Sequence, residues 1–149
     1  MQQIFSGSSQ RTALQVGVIL GRVFIGALFI VSGLVKVGNI DAVASSLAAR
    51  GLPFEQVASY LAVLMEVGGG LGLAAGWRVR RVAFLLALFV VPATFLYHAF
   101  WQSDAAAFGN QLNHFLKNVG IIGALLMIAC AGPTVSDEQV TNQAGSARA

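Results

Sequence analysis

The sequence predicts an all-α membrane protein, a polytopic four-helix bundle with a short interfacial helix between its first and second spans. Three observations carry this. Apolar residues make up 56% of the 149 residues and charged residues only 10%, whereas a soluble domain carries about a quarter charged residues. Mean hydropathy is +0.74 for a chain of 15.6 kDa, and a chain this short leaves roughly a third of its surface exposed after folding. The apolar residues also gather into four runs separated by short polar or basic breaks, and about 20 residues at 1.5 Å each cross a bilayer core.

The first run, residues 13–37, is interrupted by Arg22 alone until Lys36. Residues 1–12 read as a cytoplasmic N-terminal segment. Between the first and second runs, Ile40, Val43, Ala44 and Leu47 recur at helical spacing, and Arg50-Gly51 followed by Pro53 closes the segment, which predicts the short interfacial helix. The second run, residues 57–76, carries Glu66 near its centre, and the basic turn at 77–81 leads to the third, residues 82–102, which contains no charge. The fourth is apolar from 118 to 131, so its helix is placed from about Gly109 to Leu112, with Gly132-Pro133 as its stop. Residues 133–149 are polar and rich in small side chains and read as a disordered cytoplasmic tail. A single transmembrane domain over 13–132 follows.

The net charge of +3 comes from nine scattered basic residues, without the basic stripe and interleaved aromatics of a nucleic-acid surface. The single cysteine, Cys130, excludes an internal disulfide, and no CxxC or Cys/His metal spacing is present. The first run reads as a retained span rather than a signal peptide, since Arg22 interrupts it and no small-x-small cleavage site follows. Four spans put Arg11, Arg78, Arg80, Arg81 and Arg148 on one side against Lys36, Arg50 and Lys117 on the other, which predicts cytoplasmic termini.

A charge at mid-bilayer costs about 2.5–3.5 kcal/mol or more, so Arg22 and Glu66 need partners or a wet cavity. Counting inward from residues 13 and 57 gives both a depth of roughly 14 Å, which predicts an Arg22–Glu66 ion pair, either a clasp between two helices or part of a proton or ligand site. Arg22, Gly26, Phe29, Gly33 and Lys36 fall within about 40° of one line on the first helix. Taken alone, Lys36 reads as snorkelling to the interface. Thr94 and His98 stand one turn apart above Pro92, whose ring frees a backbone carbonyl and predicts a kink; His114, Lys117 and Asn118 share a face of the last helix. Lys36, His98, His114, Lys117 and Asn118 thus form an outer polar group that Arg22 and Glu66 extend to the midplane. Gly68, Gly72 and Gly76 predict a packing seam on the face of the second span away from Glu66. Trp77, Trp101, Tyr60 and Tyr97 read as interfacial belt residues.

The run from Gly21-Arg22-Val23-Phe24 to Gly33-Leu34-Val35-Lys36, the connection Arg50-Gly51-Leu52-Pro53, Met65-Glu66 with its glycines, and Phe115-Leu116-Lys117-Asn118 together resemble the DoxX family over about residues 20–132. The resemblance implies a small four-helix bundle of the bacterial inner membrane, in a superfamily linked to quinone-coupled oxidoreductase subunits, such as those of thiosulfate oxidation, and to redox-maturation proteins. It places the family's recurrent polar positions at Arg22, Lys36, Glu66, His98, Lys117 and Asn118. The absence of a cysteine pair speaks against thiol chemistry.

Three functions are then in view. The first is a quinone-interacting membrane subunit working with a partner oxidoreductase, with His98 or Lys117 donating to a quinone oxygen and Glu66 as the proton relay. The second is a non-catalytic scaffold or assembly partner held by the Arg22–Glu66 pair and docking another helix on Gly68, Gly72 and Gly76. The third is a small-molecule transporter, which four spans without an inverted repeat support only through a homo-oligomer.

Overall fold

A computed structural model describes residues 2–130. Its elements are α1 (Gln2–Val37), α2 (Ile40–Ala48), α3 (Glu55–Ala75), α4 (Val79–Tyr97), a 3-10 turn at Phe100–Gln102, and α5 (Ala105–Cys130), with no strand among the described residues. Four stretches are long and apolar enough to cross a membrane: Ser9–Val37, Glu55–Ala75, Val79–Gln102 and Ala105–Cys130. The all-α, four-span fold and the short helix between the first two spans are as the sequence predicts. The Gly132-Pro133 stop and the 133–149 tail lie outside the described residues.

Element ends differ from expectation where an apolar run and a helix are different things. α1 starts at Gln2 rather than near 13, because Gln and Arg end an apolar run without opposing a helix. α5 starts at Ala105 rather than at 109–112: the Asp104 carboxylate accepts from the Ala107 N–H at 2.8 Å, the geometry of a helix N-cap, and three alanines follow it. α4 stops at Tyr97. There Arg50 Nε donates to the Leu96 carbonyl at 3.1 Å, and its guanidinium lies 4.4 Å from the Tyr97 ring centroid, so a residue from the α2–α3 connection ties off the end of α4.

The helices pack in a row, α1 on α3, α3 on α4 and α4 on α5, with α2 laid against α3. α1 and α3 approach most closely at Gly26 and Gly70, where a Cβ on either glycine would stand 2.6 Å from the other's carbonyl oxygen. The seam therefore runs through Gly26, Gly33 and Gly70 rather than through Gly68, Gly72 and Gly76. Gly68 has no neighbour closer than the Leu64 methyl at 4.0 Å, while Gly72 packs on Val82 of α4 and Gly76 on Arg22. Gly70 follows Glu66 by one turn, so the closest helix packing and the buried carboxylate share a face, contrary to the separation expected from the sequence. Between α3 and α4, Gly76 takes a left-handed conformation (φ +79), and the Gly76 and Trp77 N–H groups close the helix end on Leu73 and Gly72, a Schellman turn that favours glycine.

Phe29, Leu73, Leu86, Val90 and Leu125 join the helices in one core. Large side chains such as Leu14, Leu64, Leu88 and Met127 are exposed, as expected of helices whose outer faces meet lipid tails. At the far end Phe95, Phe100, Trp101, Phe108 and Phe115 pack edge to face or tilted, with ring centroids 5.0–6.0 Å apart, which makes a belt of the aromatics around Trp101.

Candidate functional site

The register set by the Gly26–Gly70 crossing decides which charges meet. Gly33 lies against Val67 and the Glu66 methylene, so the last turn of α1 comes level with the middle of α3. Lys36 Nζ accordingly donates to Glu66 Oε2 at 2.8 Å and Oε1 at 2.9 Å, and to Ser32 Oγ at 2.9 Å. All three ammonium protons have an acceptor. The pair is well covered, with side-chain exposure of 29% for Lys36 and 9% for Glu66. Lys36 turns inward and does not snorkel.

The expected Arg22–Glu66 pair is therefore absent. Equal depth holds only if residue 13 marks the edge of the bundle, and α1 instead continues past the end of α3, with residues 9–21 exposed. Arg22 falls opposite Gly76, the terminus of α3, where a Cβ would meet its Nη2 at 3.1 Å. Its Nε is buried with no hydrogen-bond partner.

The Lys36–Glu66 pair forms part of the wall of a cavity of about 530 Å³ bounded by α1, α2, α3, α4 and the middle of α5. Its polar lining is Ser32, Lys36, Glu66, Tyr97, His98 and Asn118, and the rest is apolar, including Phe29, Leu47, Met65, Phe89 and Leu96. Pro92, expected to kink its helix, contributes to the wall. Thr94 Oγ1 donates to the Val90 carbonyl at 2.7 Å and so must accept from Asn118 Nδ2 at 3.0 Å, which fixes the Asn118 amide orientation. His98 Nδ1 stands 3.0 Å from Gln111 Oε1; with that oxygen accepting, Nδ1 carries the proton and Nε2 is the open ring nitrogen. The His114 ring stacks on His98 with centroids 5.0 Å apart and planes 14° from parallel.

Of the seven residues singled out from the sequence, Lys36, Glu66, His98 and Asn118 line one cavity, and His114 backs His98. Lys117 is exposed outside it, and Arg22 lines a different cavity, of about 810 Å³, at the other end of the bundle. Sequence reasoning missed Ser32 and Gln111, although both were within reach of it: Ser32 precedes Lys36 by one turn on the same face, and Gln111 precedes His114 by three residues.

With this geometry in hand, the comparisons with known proteins decide the family. A profile of the DoxX family matches residues 17–99, more than half of the chain. The chain belongs to the DoxX family. It is 30% identical to the Inner membrane protein YphA of Escherichia coli (strain K12) over 115 residues, covering 77% of this chain and 82% of that protein. It is 34% identical to the Inner membrane protein YqjF of the same organism over 118 residues, covering 79% and 85%. No solved structure matches. This DoxX protein is an integral inner-membrane protein, and its exposed apolar helix faces contact lipid.

Proposed function

We propose that the Lys36–Glu66 cavity binds the head group of a membrane quinone and that this DoxX protein acts as the quinone-interacting subunit of a partner oxidoreductase. The observation that carries the reading is a mostly apolar, intramembrane cavity with an ion pair, an imidazole and an amide converging on it, the composition of a site that holds a flat apolar ring by a few polar groups. The residues fit such a ligand: Phe29, Met65, Phe89 and Leu96 supply apolar walls, and the Lys36 ammonium supplies a hydrogen-bond donor for a ring oxygen. A bound quinone would supply two-electron, two-proton chemistry, the electrons coming from the partner. The chain's own part is to orient and to exchange protons. The Glu66 carboxylate is the proton-relay group when Lys36 Nζ swings from it toward the ligand, and His98 Nε2, the open ring nitrogen, offers a second proton acceptor at the same wall. Both termini and the Arg78–Arg81 turn lie on the cytoplasmic side in this reading, from the excess of arginine there.

A second reading rests on the closed hydrogen bonding of Lys36. An ammonium with all three protons used inside the protein also suits a clasp between α1 and α3, which would make the protein a scaffold.

The test is binding of a photoactivatable quinone to the purified protein in lipid nanodiscs, with labelled positions mapped by peptide sequencing. Labelling near Met65 or Phe89, with at least a ten-fold loss of affinity in Glu66→Gln and no loss in Arg11→Gln, supports the quinone site. Absence of saturable labelling in the wild type, together with recovery of a folded Lys36→Met/Glu66→Leu protein, gives the position to the clasp.

A further inference from the structure

Apart from the Lys36–Glu66 cavity, the cleft between α1 and α5 holds about 810 Å³ at the opposite end of the bundle. Four arginines line it, Arg22, Arg78, Arg80 and Arg81, and among the described residues no acidic side chain does. The acidic side chains among the described residues are spoken for or elsewhere. Glu66 is paired with Lys36, while Asp41, Glu55 and Asp104 stand at the starts of α2, α3 and α5, at or toward the other end. Arg22 Nε is buried without a hydrogen-bond partner, an unfavourable state for a polar N–H. Gly76 leaves the space that its guanidinium occupies, since a Cβ there would stand 3.1–3.5 Å from three guanidinium atoms.

The cleft is also amphipathic along its length. Its arginines gather where Arg78 lies 5.5 Å from the Trp77 ring centroid, and an exposed tryptophan at a helix end marks the head-group level of a bilayer. Inward of that level the walls are apolar, with Ile25 of α1 and Ala124 of α5, while Val18, Met127 and Ile128 line the cleft nearer its mouth. Gly17 and Gly21 of the same wall have open space in front of them. Arg80 Nε donates to the Ala129 carbonyl at 3.0 Å, which ties α4 to the end of α5 and holds that guanidinium at the mouth.

From this geometry we propose that the α1–α5 cleft is a binding site for an anionic phospholipid, with the phosphate held by Arg22 and the Arg78–Arg81 group and the acyl chains lying along the apolar walls. Guanidinium forks match phosphate oxygens in pairs, and basic pockets between transmembrane helices are suited to anionic head groups. A free phosphate would satisfy the arginines but leave the apolar walls uncovered, and a zwitterionic lipid would bring its own cation into a site that already holds four.

The test is native mass spectrometry of the full-length protein, released from detergent with equal amounts of phosphatidylglycerol and phosphatidylcholine of the same chains. The wild type should retain the anionic lipid at least about ten-fold more than the zwitterionic one. Arg22→Gln should lower the ratio several-fold, and the second variant, Arg80→Gln/Arg81→Gln, should lower it as well, while Arg11→Gln, a loss of one charge outside the cleft, should leave it unchanged. A wild-type ratio near one overturns the proposal, as does an equal loss in Arg11→Gln. Displacement of the bound lipid by millimolar inorganic phosphate would reassign the arginines to a free anion. A preference that emerges only in Asp137→Asn/Glu138→Gln would show that the chain's own acidic residues fill the cleft.

Discussion

The Lys36–Glu66 end of the bundle and the Arg22 end differ in how their buried charge is compensated. At the first, the ammonium has three acceptors within 2.9 Å, and the cation and anion come from α1 and α3, the two helices in closest contact. At the second, four arginines share a cleft without a carboxylate among its lining residues, and one buried guanidinium nitrogen has no partner. Both ends face apolar surroundings, so what differs is where the counter-charge resides. One end carries it inside the fold and is complete as a folded unit. The other is completed from outside the described chain, which suits a site whose occupant arrives with the membrane.

The most severe way to break this contrast is to remove one cation at each end. Lys36→Met leaves the Glu66 carboxylate buried and unpaired, and loss of one member of such a pair costs about 3–5 kcal/mol. Replacing both, in Lys36→Met/Glu66→Leu, should recover most of that, since no orphan charge remains. Arg22→Met strands no carboxylate and should cost much less than Lys36→Met. Unfolding of the protein in zwitterionic mixed micelles checks all three, and equal losses for Arg22→Met and Lys36→Met would erase the distinction between the ends.

A smaller effect tests what sets the pairing. If the Gly26–Gly70 crossing fixes the register that brings Lys36 to Glu66, a side chain at Gly70 must push α1 away, because it would meet the Gly26 carbonyl at 2.6 Å and the Ile30 nitrogen at 3.0 Å. Gly70→Val should destabilise by about 1–3 kcal/mol and weaken the ion pair with it. Gly68→Ala, two residues away in the same helix, faces open space and should be neutral or stabilising by up to about 1 kcal/mol. The same unfolding measurement reads both, and losses of similar size would put the crossing elsewhere.

The same crossing explains how much was legible in the sequence. Span number, helical class and the inner stripe Gly26, Phe29, Gly33 and Lys36 follow from composition and periodicity, which are local properties. So does the choice of Lys36, Glu66, His98 and Asn118 as residues that converge. The pairing itself was not legible, because depth was counted from where apolar runs begin, and α1 runs past the bundle while α3 does not. Axial register between helices is set by which glycines let backbones touch, and Gly68, Gly72 and Gly76 give as regular a spacing as the glycines that do touch. Helix starts failed for a related reason, since Asp104 and three alanines form a good N-terminus without being apolar enough to extend the run.

The finest test concerns Asn118, where the polar lining of the Lys36–Glu66 cavity meets the packing of α4 on α5. Its Nδ2 donates to Thr94 Oγ1, which itself donates to Val90, so this amide proton is already used and the side chain can offer a cavity ligand only its remaining groups. A double-mutant cycle of Asn118→Leu and Thr94→Val should show a coupling of about 0.6 kcal/mol, the usual size for a hydrogen bond between membrane helices. If quinone binding is then measured on the same variants, Thr94→Val should weaken it only slightly while Asn118→Leu weakens it more, because the first releases the amide and the second removes it. A coupling near zero would mean that the amide is not held by Thr94, and the compensated end of the bundle would then owe its order to Lys36 and Glu66 alone.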